Sequence, residues 1–245
     1  MRIFCFSGSG NSFSVARELS NRNSTSPELV TQFKGLSFIE VADSEIGIVA
    51  PVYFNDIPII LKEFLLKLSF IQSDAYIFAV LTSGSGKNKN GFKNIELALA
   101  QGNARLSFAY DIQMPSSYQA RADMDSLLGA VPVKITEIAA EVVEHRVNYT
   151  PQGSTVLPKG FARLPLLNKP LARMRVTEDC TGCGLCCKLC PADNIELHDG
   201  KATRANKCIA CTACANWCPN QAIISHLLKG QYRHPETNVN DLQWK

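Results

Sequence analysis

A cysteine motif that occurs twice between residues 180 and 219 constrains this chain more than any other feature. The two copies are separated by 28 positions, from Cys180 to Cys208 and again from Cys190 to Cys218. Each copy has the spacing Cys-x2-Cys-x2-Cys-x3-Cys-Pro, in CTGCGLCCKLCP and in CIACTACANWCP. A repeat of this kind predicts two copies of one half-unit, related by an approximate two-fold axis.

The spacing within each copy is typical of thiolates that bind a [4Fe–4S] cluster. Three closely spaced cysteines wrap one cluster, and the fourth, held away by the turn at the following proline, ligates the other cluster. We therefore expect cluster I to take Cys180, Cys183, Cys186 and Cys218, and cluster II to take Cys208, Cys211, Cys214 and Cys190. Cys187 breaks the pattern, and we expect it not to be a ligand, although a register shifted onto it stays open.

Paired zinc sites, a disulfide framework and a thioredoxin-like Cys-x-x-Cys site are the alternative interpretations of these cysteines. Zinc would favour four ligands arranged as two separated pairs, which two tight runs of four do not offer. Disulfides are typical of exported proteins, and nothing in the sequence indicates export. The cluster interpretation is therefore favoured, and it makes the segment similar to the bacterial two-cluster ferredoxins.

Length and composition indicate one substantial hydrophobic core with room for a small second unit. The chain has 245 residues, of which 46% are hydrophobic. Its N-terminus has too short an apolar run for a signal peptide, and no other apolar stretch is long enough to span a bilayer. We expect a cytoplasmic protein in a reducing compartment, where thiolates stay available for metal.

Charge is distributed unevenly along the chain. Residues 1–150 carry 13 Lys and Arg against 15 Asp and Glu, whereas residues 151–245 carry 12 against 7. Basic residues near the cysteines could offset the negative charge of an oxidised cluster or attract an acidic redox partner, or they could form an ordinary solvated face. They are Lys188, Lys201, Arg204 and Lys207. Neither charge clustering nor aromatic interleaving indicates binding of nucleic acid.

A strand, a glycine–serine loop and a helix follow one another at the start of the chain. Residues 3–6 are apolar, the loop reads SGSGNS over residues 7–12, and apolar side chains then recur at helical spacing over residues 13–20. Glycines let the backbone approach a phosphate, hydroxyls donate to it, and the helix N-terminus supplies unpaired N–H groups. The loop has no Walker lysine and lacks the third glycine of the dinucleotide fingerprint, which favours a phosphate monoester as ligand.

This loop resembles that of the flavodoxins. Their Ser/Thr-x-Ser/Thr-Gly-x-Ser/Thr pattern is matched by Ser7, Ser9, Gly10 and Ser12. The resemblance implies that the phosphate ligand is FMN.

Alternating strands and helices continue after the loop. Apolar strands are predicted at 45–50, 75–81 and 105–112, and helices at 59–68, at 92–101 and around 135–143. The alternation predicts an α/β fold with a doubly wound parallel sheet, and the flavodoxin resemblance implies five strands in the order 2-1-3-4-5. Ligands of such sheets bind at the carboxyl ends of the strands, where the loops 7–12, 51–58 and 82–88 lie.

The flavodoxin resemblance also implies which residues contact FMN. The 51–58 and 82–88 loops would flank the flavin ring, with Tyr53 or Phe54 stacked on it and Tyr118 approaching from the loop after the fifth strand. Lys87 and Lys89 are further candidates for phosphate contacts, although their loop lacks Walker spacing. The expected FMN contacts are Ser7, Gly8, Ser9, Gly10, Asn11, Ser12, Pro51, Val52, Tyr53, Phe54, Thr82, Ser83, Gly84, Ser85, Gly86 and Tyr118.

The order of the parts divides the chain into four segments. We expect a flavodoxin-like FMN domain at 1–150, an extended linker at 151–175, a small α+β two-cluster ferredoxin domain at 176–225 and a C-terminal tail at 226–245. This order resembles the flavodoxin–ferredoxin fusion family of bacteria and archaea. The resemblance implies an electron-transfer protein that passes electrons between FMN and two [4Fe–4S] clusters and on to redox partners.

Two other functions stay open. One is an FMN-dependent reductase of a small molecule, fed through the clusters. It would need a proton donor beside the flavin, for which the candidates are Tyr53, Tyr118 and the histidines His145, His198, His226 and His234. The other is a docking subunit of a larger redox complex. The sequence contains no recognisable acid–base pair or nucleophile, so we assign no catalytic residue. The oligomeric state also stays open, including a dimer that pairs the flavin of one copy with a cluster of the other.

Overall fold

The computed structural model describes residues 1–72, 74–119, 123–151 and 174–242. The predicted linker at 151–175 lies outside the described residues except at its ends, and so do the last three residues of the predicted tail. Both copies of the cysteine motif and all of the expected FMN contacts are within the described part.

A parallel sheet of five strands forms the centre of the fold, as predicted. In the described part of the chain the strands are β1 (Arg2–Cys5), β2 (Glu28–Leu29), β3 (Ile39–Val41), β4 (Glu45–Pro51), β5 (Leu68–Phe70), β6 (Tyr76–Ser83), β7 (Phe108–Gln113), β8 (Arg175–Val176), β9 (Ile195–His198), β10 (Lys201–Arg204) and β11 (Ile223–Ile224). The sheet has the order β2-β1-β4-β6-β7, and each neighbouring pair is parallel.

The observed order differs from the predicted 2-1-3-4-5 because the chain has two short strands that the prediction lacked. β3 and β5 pair with each other in parallel outside the main sheet. They lie on either side of β4 in the chain, so they shift the numbering of every later strand. β1 still lies between β2 and β4, which places a switch point at the carboxyl ends of β1 and β4, where ligands of such sheets bind.

Helices flank the sheet. In the described residues they are α1 (Asn11–Asn21), α2 (Ile59–Leu65), α3 (Lys89–Leu99), α4 (Met124–Val143), α5 (Leu185–Leu189) and α6 (Ala213–Asn216). α1 packs beside α4, and α2 packs beside α3. Residues 46–51 of β4 and 76–82 of β6 are all buried, as expected for strands covered on both faces. No helix in the described part of the chain is both long and apolar enough to cross a membrane.

Some predicted elements have different ends in the structure. The helix predicted at 59–68 ends at Leu65, because the chain turns there into β5. The strand predicted at 105–112 begins at Phe108, because the side chain of Glu96 accepts a hydrogen bond from the Leu106 N–H and draws that segment away from the sheet.

The segment from residue 174 onward forms two antiparallel strand pairs and two short helices. β9 pairs with β10, and β8 pairs with β11. α5 and α6 occupy the equivalent place in the two copies of the cysteine motif. Gly182 and Gly184 have positive φ in the first copy, and so do Ala210 and Thr212 at the equivalent positions of the second. The sequence repeat is therefore also a repeat of the backbone.

The packing of β4 yields a prediction about stability. A Cβ added to Gly47 would lie 2.5 Å from the buried ring of Phe78, so Gly47→Ala should lower the free energy of unfolding by about 1–3 kcal/mol. Gly129 lies inside α4, and no other atom lies near the position of an added Cβ. Gly129→Ala should therefore raise the free energy of unfolding by about 0.5–1 kcal/mol. Denaturant unfolding of both variants measures the difference, and equal effects would contradict the packing described for β4.

Candidate functional site

Loops at the carboxyl ends of β1, β4, β6 and β7 line one cleft. The space within the cleft, including the solvent that it opens onto, is about 410 Å³. Its lining consists of Ser7, Gly8, Ser9, Asn11, Ser12, Pro51, Val52, Tyr53, Thr82, Ser83, Gly84, Pro115, Ser116, Ser117 and Tyr118. All of these except residues 115–117 are expected FMN contacts. They meet because the parallel strands that carry them end side by side.

Four expected FMN contacts, Gly10, Phe54, Ser85 and Gly86, do not line the cleft. Gly10 forms the N-cap of α1, and the Phe54 ring packs against the cysteine segment. The Gly86 N–H donates to Ser83 Oγ at 3.0 Å, so the end of that loop folds back onto its own start.

The 7–12 loop offers N–H groups and hydroxyls to the cleft. Gly10 has φ of 101° as the N-cap of α1, so no N-cap side chain occupies the N–H groups of the first helical turn. Ser7 Oγ accepts a hydrogen bond from the Gly10 N–H at 3.1 Å, and Ser12 Oγ lies 2.8 Å from Thr82 Oγ1. Among the described residues, neither lysine nor arginine lines the cleft, so the lysines at 87 and 89 lie elsewhere. This donor set suits a phosphate group, which a helix N-terminus can bind without a basic side chain.

Asn11 holds the 7–12 loop in place through its side chain. Its Nδ2 donates to the Pro115 carbonyl at 2.8 Å, and its Oδ1 accepts a hydrogen bond from Tyr232 Oη at 2.7 Å. Both polar atoms of the Asn11 side chain are therefore bound to protein. If Asn11 contacts FMN as expected, it would do so through its backbone N–H and not through its side chain.

Two tyrosines join the cleft to the second copy of the cysteine motif. Tyr53 Oη donates to the Cys211 carbonyl at 3.3 Å, and Tyr118 Oη donates to the Ala210 carbonyl at 3.0 Å. Their ring centroids are 6.0 Å apart in an edge-to-face arrangement. Burial raises the pKa of both hydroxyls well above the ordinary value, so both tyrosines keep their protons at neutral pH.

The cysteines line two separate cavities of similar size. The first, about 360 Å³ including the solvent that it opens onto, is lined by Cys180, Cys183, Cys186 and Cys218. The second, about 350 Å³ measured in the same way, is lined by Cys190, Cys208, Cys211 and Cys214. In each cavity three cysteines of one copy meet the fourth cysteine of the other, which is the crossed arrangement expected from the spacing. Cys187 lines neither cavity.

Backbone N–H groups donate to cysteine sulfurs in both cavities. In the first, Ala202 donates to Cys180 Sγ at 3.5 Å and Ala222 donates to Cys218 Sγ at 3.3 Å. In the second, Asn194 donates to Cys190 Sγ at 3.2 Å and Ala210 donates to Cys208 Sγ at 3.4 Å. Such donors favour negative charge on sulfur, so both cavities suit thiolate ligands.

The cysteines of neither cavity form a site for a single metal ion in the described part of the chain. Among the described residues, no three His, Cys, Asp or Glu side chains come together as ligands of one ion. Thiolates around one zinc ion lie about 3.8 Å apart, because each is about 2.3 Å from the metal. Ligands of a cluster bind different iron atoms and lie further apart.

Burial and neighbouring cysteines affect the thiols in both cavities. Burial is the main cause that raises the pKa of the Cys186 thiol to about 12. It also raises the pKa of Cys214 well above its ordinary value. Without a bound cation, both side chains are thiols at neutral pH.

The two cavities differ in exposure and in position. Cys183 of the first cavity is exposed, whereas Cys190 and Cys211 of the second are only 8% exposed. The second cavity lies against the cleft, since a Cβ on Gly8 would overlap the Cys211 carbonyl oxygen. Trp217 Nε1 also donates to the Gly8 carbonyl at 2.9 Å. The second copy of the cysteine motif is thus a part of the cysteine segment that contacts the cleft.

Two of the four basic residues near the cysteines are engaged within the cysteine segment. Lys201 pairs with Glu178, and Arg204 donates to the Met174 carbonyl. Lys188 and Lys207 are exposed. The basic surface offered by this set is therefore smaller than the sequence predicts.

The C-terminal tail packs on the 7–12 loop, a contact that the sequence did not reveal. The His234 N–H donates to the Ser9 carbonyl at 2.9 Å, and Thr237 Oγ1 donates to the Gly10 carbonyl at 3.2 Å. Residues 226–245 carry no periodic pattern or motif that would have indicated this. The sequence could have predicted residues 115–117 as part of the cleft lining, because they lie between Met114 and Tyr118, in a loop that the flavodoxin resemblance already places near the flavin.

Comparisons with known proteins find distant structural similarity only. No protein-family model matches the chain, and no curated protein sequence matches it. A similar solved structure is an FMN-dependent NADH-azoreductase from Bacillus anthracis in complex with FMN, at 10% identity, with 58% of this chain and 99% of that chain covered and a TM-score of 0.38. An oxidoreductase from Corynebacterium diphtheriae has 14% identity, coverage of 59% and 98%, and a TM-score of 0.32. The Trp repressor binding protein from Bacillus subtilis has 12% identity, coverage of 53% and 95%, and a TM-score of 0.32. At such low identities and TM-scores, the ligands and activities of these proteins are not assigned to this chain.

The cavity lining yields a prediction about iron content. Cys218→Ala should remove about half of the bound iron, because Cys218 completes the first cavity although it lies in the second copy of the motif. Cys187→Ala makes the same chemical change outside both cavities and should retain all of it. Iron and acid-labile sulfide per chain, measured after anaerobic purification, separate the two variants. Iron loss in Cys187→Ala would mean that the register uses this cysteine.

The geometry of Gly10 yields a prediction about flavin binding. A Cβ at this position would lie 2.8 Å from Thr237 Cβ, and φ is 101°, so Gly10→Val should displace the loop and abolish FMN binding. Iron content should be unchanged. Gly35→Val is a matched control, since no other atom lies near a Cβ there. Titration followed by flavin fluorescence measures the affinity, and full flavin binding by Gly10→Val would contradict the assignment of the loop.

Proposed function

We propose that this chain is an electron-transfer protein that holds one FMN in the cleft and two [4Fe–4S] clusters in the two cysteine cavities. Electrons would pass between the flavin and the clusters and on to redox partners. The observation that carries the proposal is the direct contact between the cleft and the Cys208–Cys214 loop, made by Gly8, Tyr53 and Tyr118.

The residues of the cleft fit FMN. The 7–12 loop would hold the phosphate through N–H groups and hydroxyls, without a basic side chain. The segments 51–53 and 82–84 would flank the ring, and Tyr118 closes the cleft beside Tyr53. Bound there, FMN supplies chemistry of one or two electrons.

The two cysteine cavities fit two clusters. Each has four cysteines in the crossed arrangement and N–H donors to sulfur. Bound there, each cluster supplies one-electron chemistry. The exposed Cys183 places the first cavity at the surface, so we propose that this cavity faces the external partner. Lys188 and Lys207 are exposed cations near the cysteines that could attract an acidic partner.

Geometry favours a carrier over a reductase with its own small-molecule substrate. Such a reductase would need a proton donor beside the flavin. Tyr53 and Tyr118 are the ionisable side chains that line the cleft in the described part of the chain, and each hydroxyl donates its proton to a backbone carbonyl. Neither proton points to a substrate, whereas outer-sphere electron transfer needs no proton donor at this place.

The proposal is tested by its cofactor content. Iron, sulfide and flavin should be quantified on one sample of the full chain after anaerobic purification, with about eight irons and one FMN expected per chain. Iron without flavin, even after FMN is added in excess, would contradict the assignment of the cleft. Flavin without iron, after reconstitution with iron and sulfide, would contradict the assignment of the cavities.

A further inference from the structure

A buried chain of hydrogen bonds links the 7–12 loop to the second cysteine run through the C-terminal tail. Tyr232 Oη donates to Asn11 Oδ1 at 2.7 Å, and the Tyr232 N–H donates to Asn216 Oδ1 at 3.1 Å. Asn216 Nδ2 donates to the Ser117 carbonyl and to Thr212 Oγ1, each at 3.0 Å. Asn11, Tyr232 and Asn216 are 7%, 5% and 0% exposed, so water does not compete for these bonds.

The position of Asn216 depends on the cysteines around it. It is the last residue of α6, between Cys214 and Cys218, and these two cysteines lie in different cavities. Whatever fixes these two sulfurs therefore fixes the Asn216 amide. Through Tyr232, that position determines how the Asn11 amide is held.

We propose that Tyr232 is a positioning residue that couples the phosphate loop to the second cysteine run. FMN binding by the loop and metal retention by Cys208–Cys214 would then strengthen each other. This inference rests on the proposed function, and it gives the C-terminal tail a role in that site.

Buried polar groups supply the energy for this coupling. A buried amide oxygen that loses its hydrogen-bond donor stays out of contact with water and has no partner, which raises the free energy of the folded state. The surrounding residues then rearrange to give this oxygen a new partner or access to water. When Asn11 is released on one side, the loop can shift its N–H groups away from the phosphate position. Because a coupling free energy is the same in both directions, bound FMN must then strengthen the binding of metal as well, and we expect a slower release of metal.

The test compares Tyr232→Phe with Tyr76→Phe in the full, metal-loaded chain. Tyr232→Phe deletes the hydroxyl that donates to Asn11, and the FMN dissociation constant should rise about five- to tenfold. Tyr76→Phe deletes a hydroxyl that donates to the Arg146 carbonyl, away from the cleft, and the dissociation constant should not change. Iron content and the melting temperature of the flavin-free protein should differ little between the two variants.

The second readout is the release of iron to a chelator, with and without FMN. In the wild-type chain FMN should slow the release of iron, and in Tyr232→Phe this protection should largely disappear. A tyrosine that only stabilised the fold would change iron release equally with and without FMN, so this readout separates positioning from structural support.

Each outcome bears on one claim. An unchanged dissociation constant in Tyr232→Phe, or iron release in the wild type that does not respond to FMN, overturns the coupling and leaves the proposed function standing. A wild-type chain that binds no FMN overturns both. Weaker FMN binding in Tyr232→Phe alone, together with lost protection of iron, supports the coupling.

Discussion

The close approach of Gly8 to the Cys211 carbonyl is the contact on which the rest of this molecule depends. No side chain other than hydrogen fits between them. The Trp217 indole donates to the carbonyl of the same glycine, and Tyr53 donates to the carbonyl of the same cysteine. Because these bonds are buried, separating the two parts would leave polar groups unpaired in an apolar setting. The cleft and the second cysteine cavity are therefore held as neighbours.

The two cysteine cavities differ in their surroundings. Cys190 and Cys211 of the second cavity are buried and Cys211 contacts the cleft loops, whereas the first cavity reaches the surface at Cys183. Under the proposed function, the second cavity would hold a cluster next to the flavin, and the first would hold a cluster at the surface. The tail adds to this arrangement, since His234 and Thr237 bind the carbonyls of the 7–12 loop from outside the cleft.

The parts that could be predicted from the sequence are those governed by local chemistry. Cysteine spacing predicted the crossed sets of four, and the rule that ligands bind at the carboxyl ends of parallel strands predicted the cleft. The pair β3–β5 was not predicted, because its short strands have no alternation long enough to recognise. The contacts of Tyr53 with Cys211 and of Tyr232 with Asn11 span 158 and 221 residues and depend on packing, which no local pattern encodes.

Electron transfer within one chain is the central claim, and the most direct measurement is light-driven reduction of the flavin in the anaerobic, fully loaded protein. The absorbance of flavin and clusters is followed after the flash at several protein concentrations. We predict that reoxidation of the flavin matches reduction of a cluster, with a rate constant that does not depend on protein concentration. A rate constant proportional to concentration, or a flavin that stays reduced beside oxidised clusters, would contradict the account.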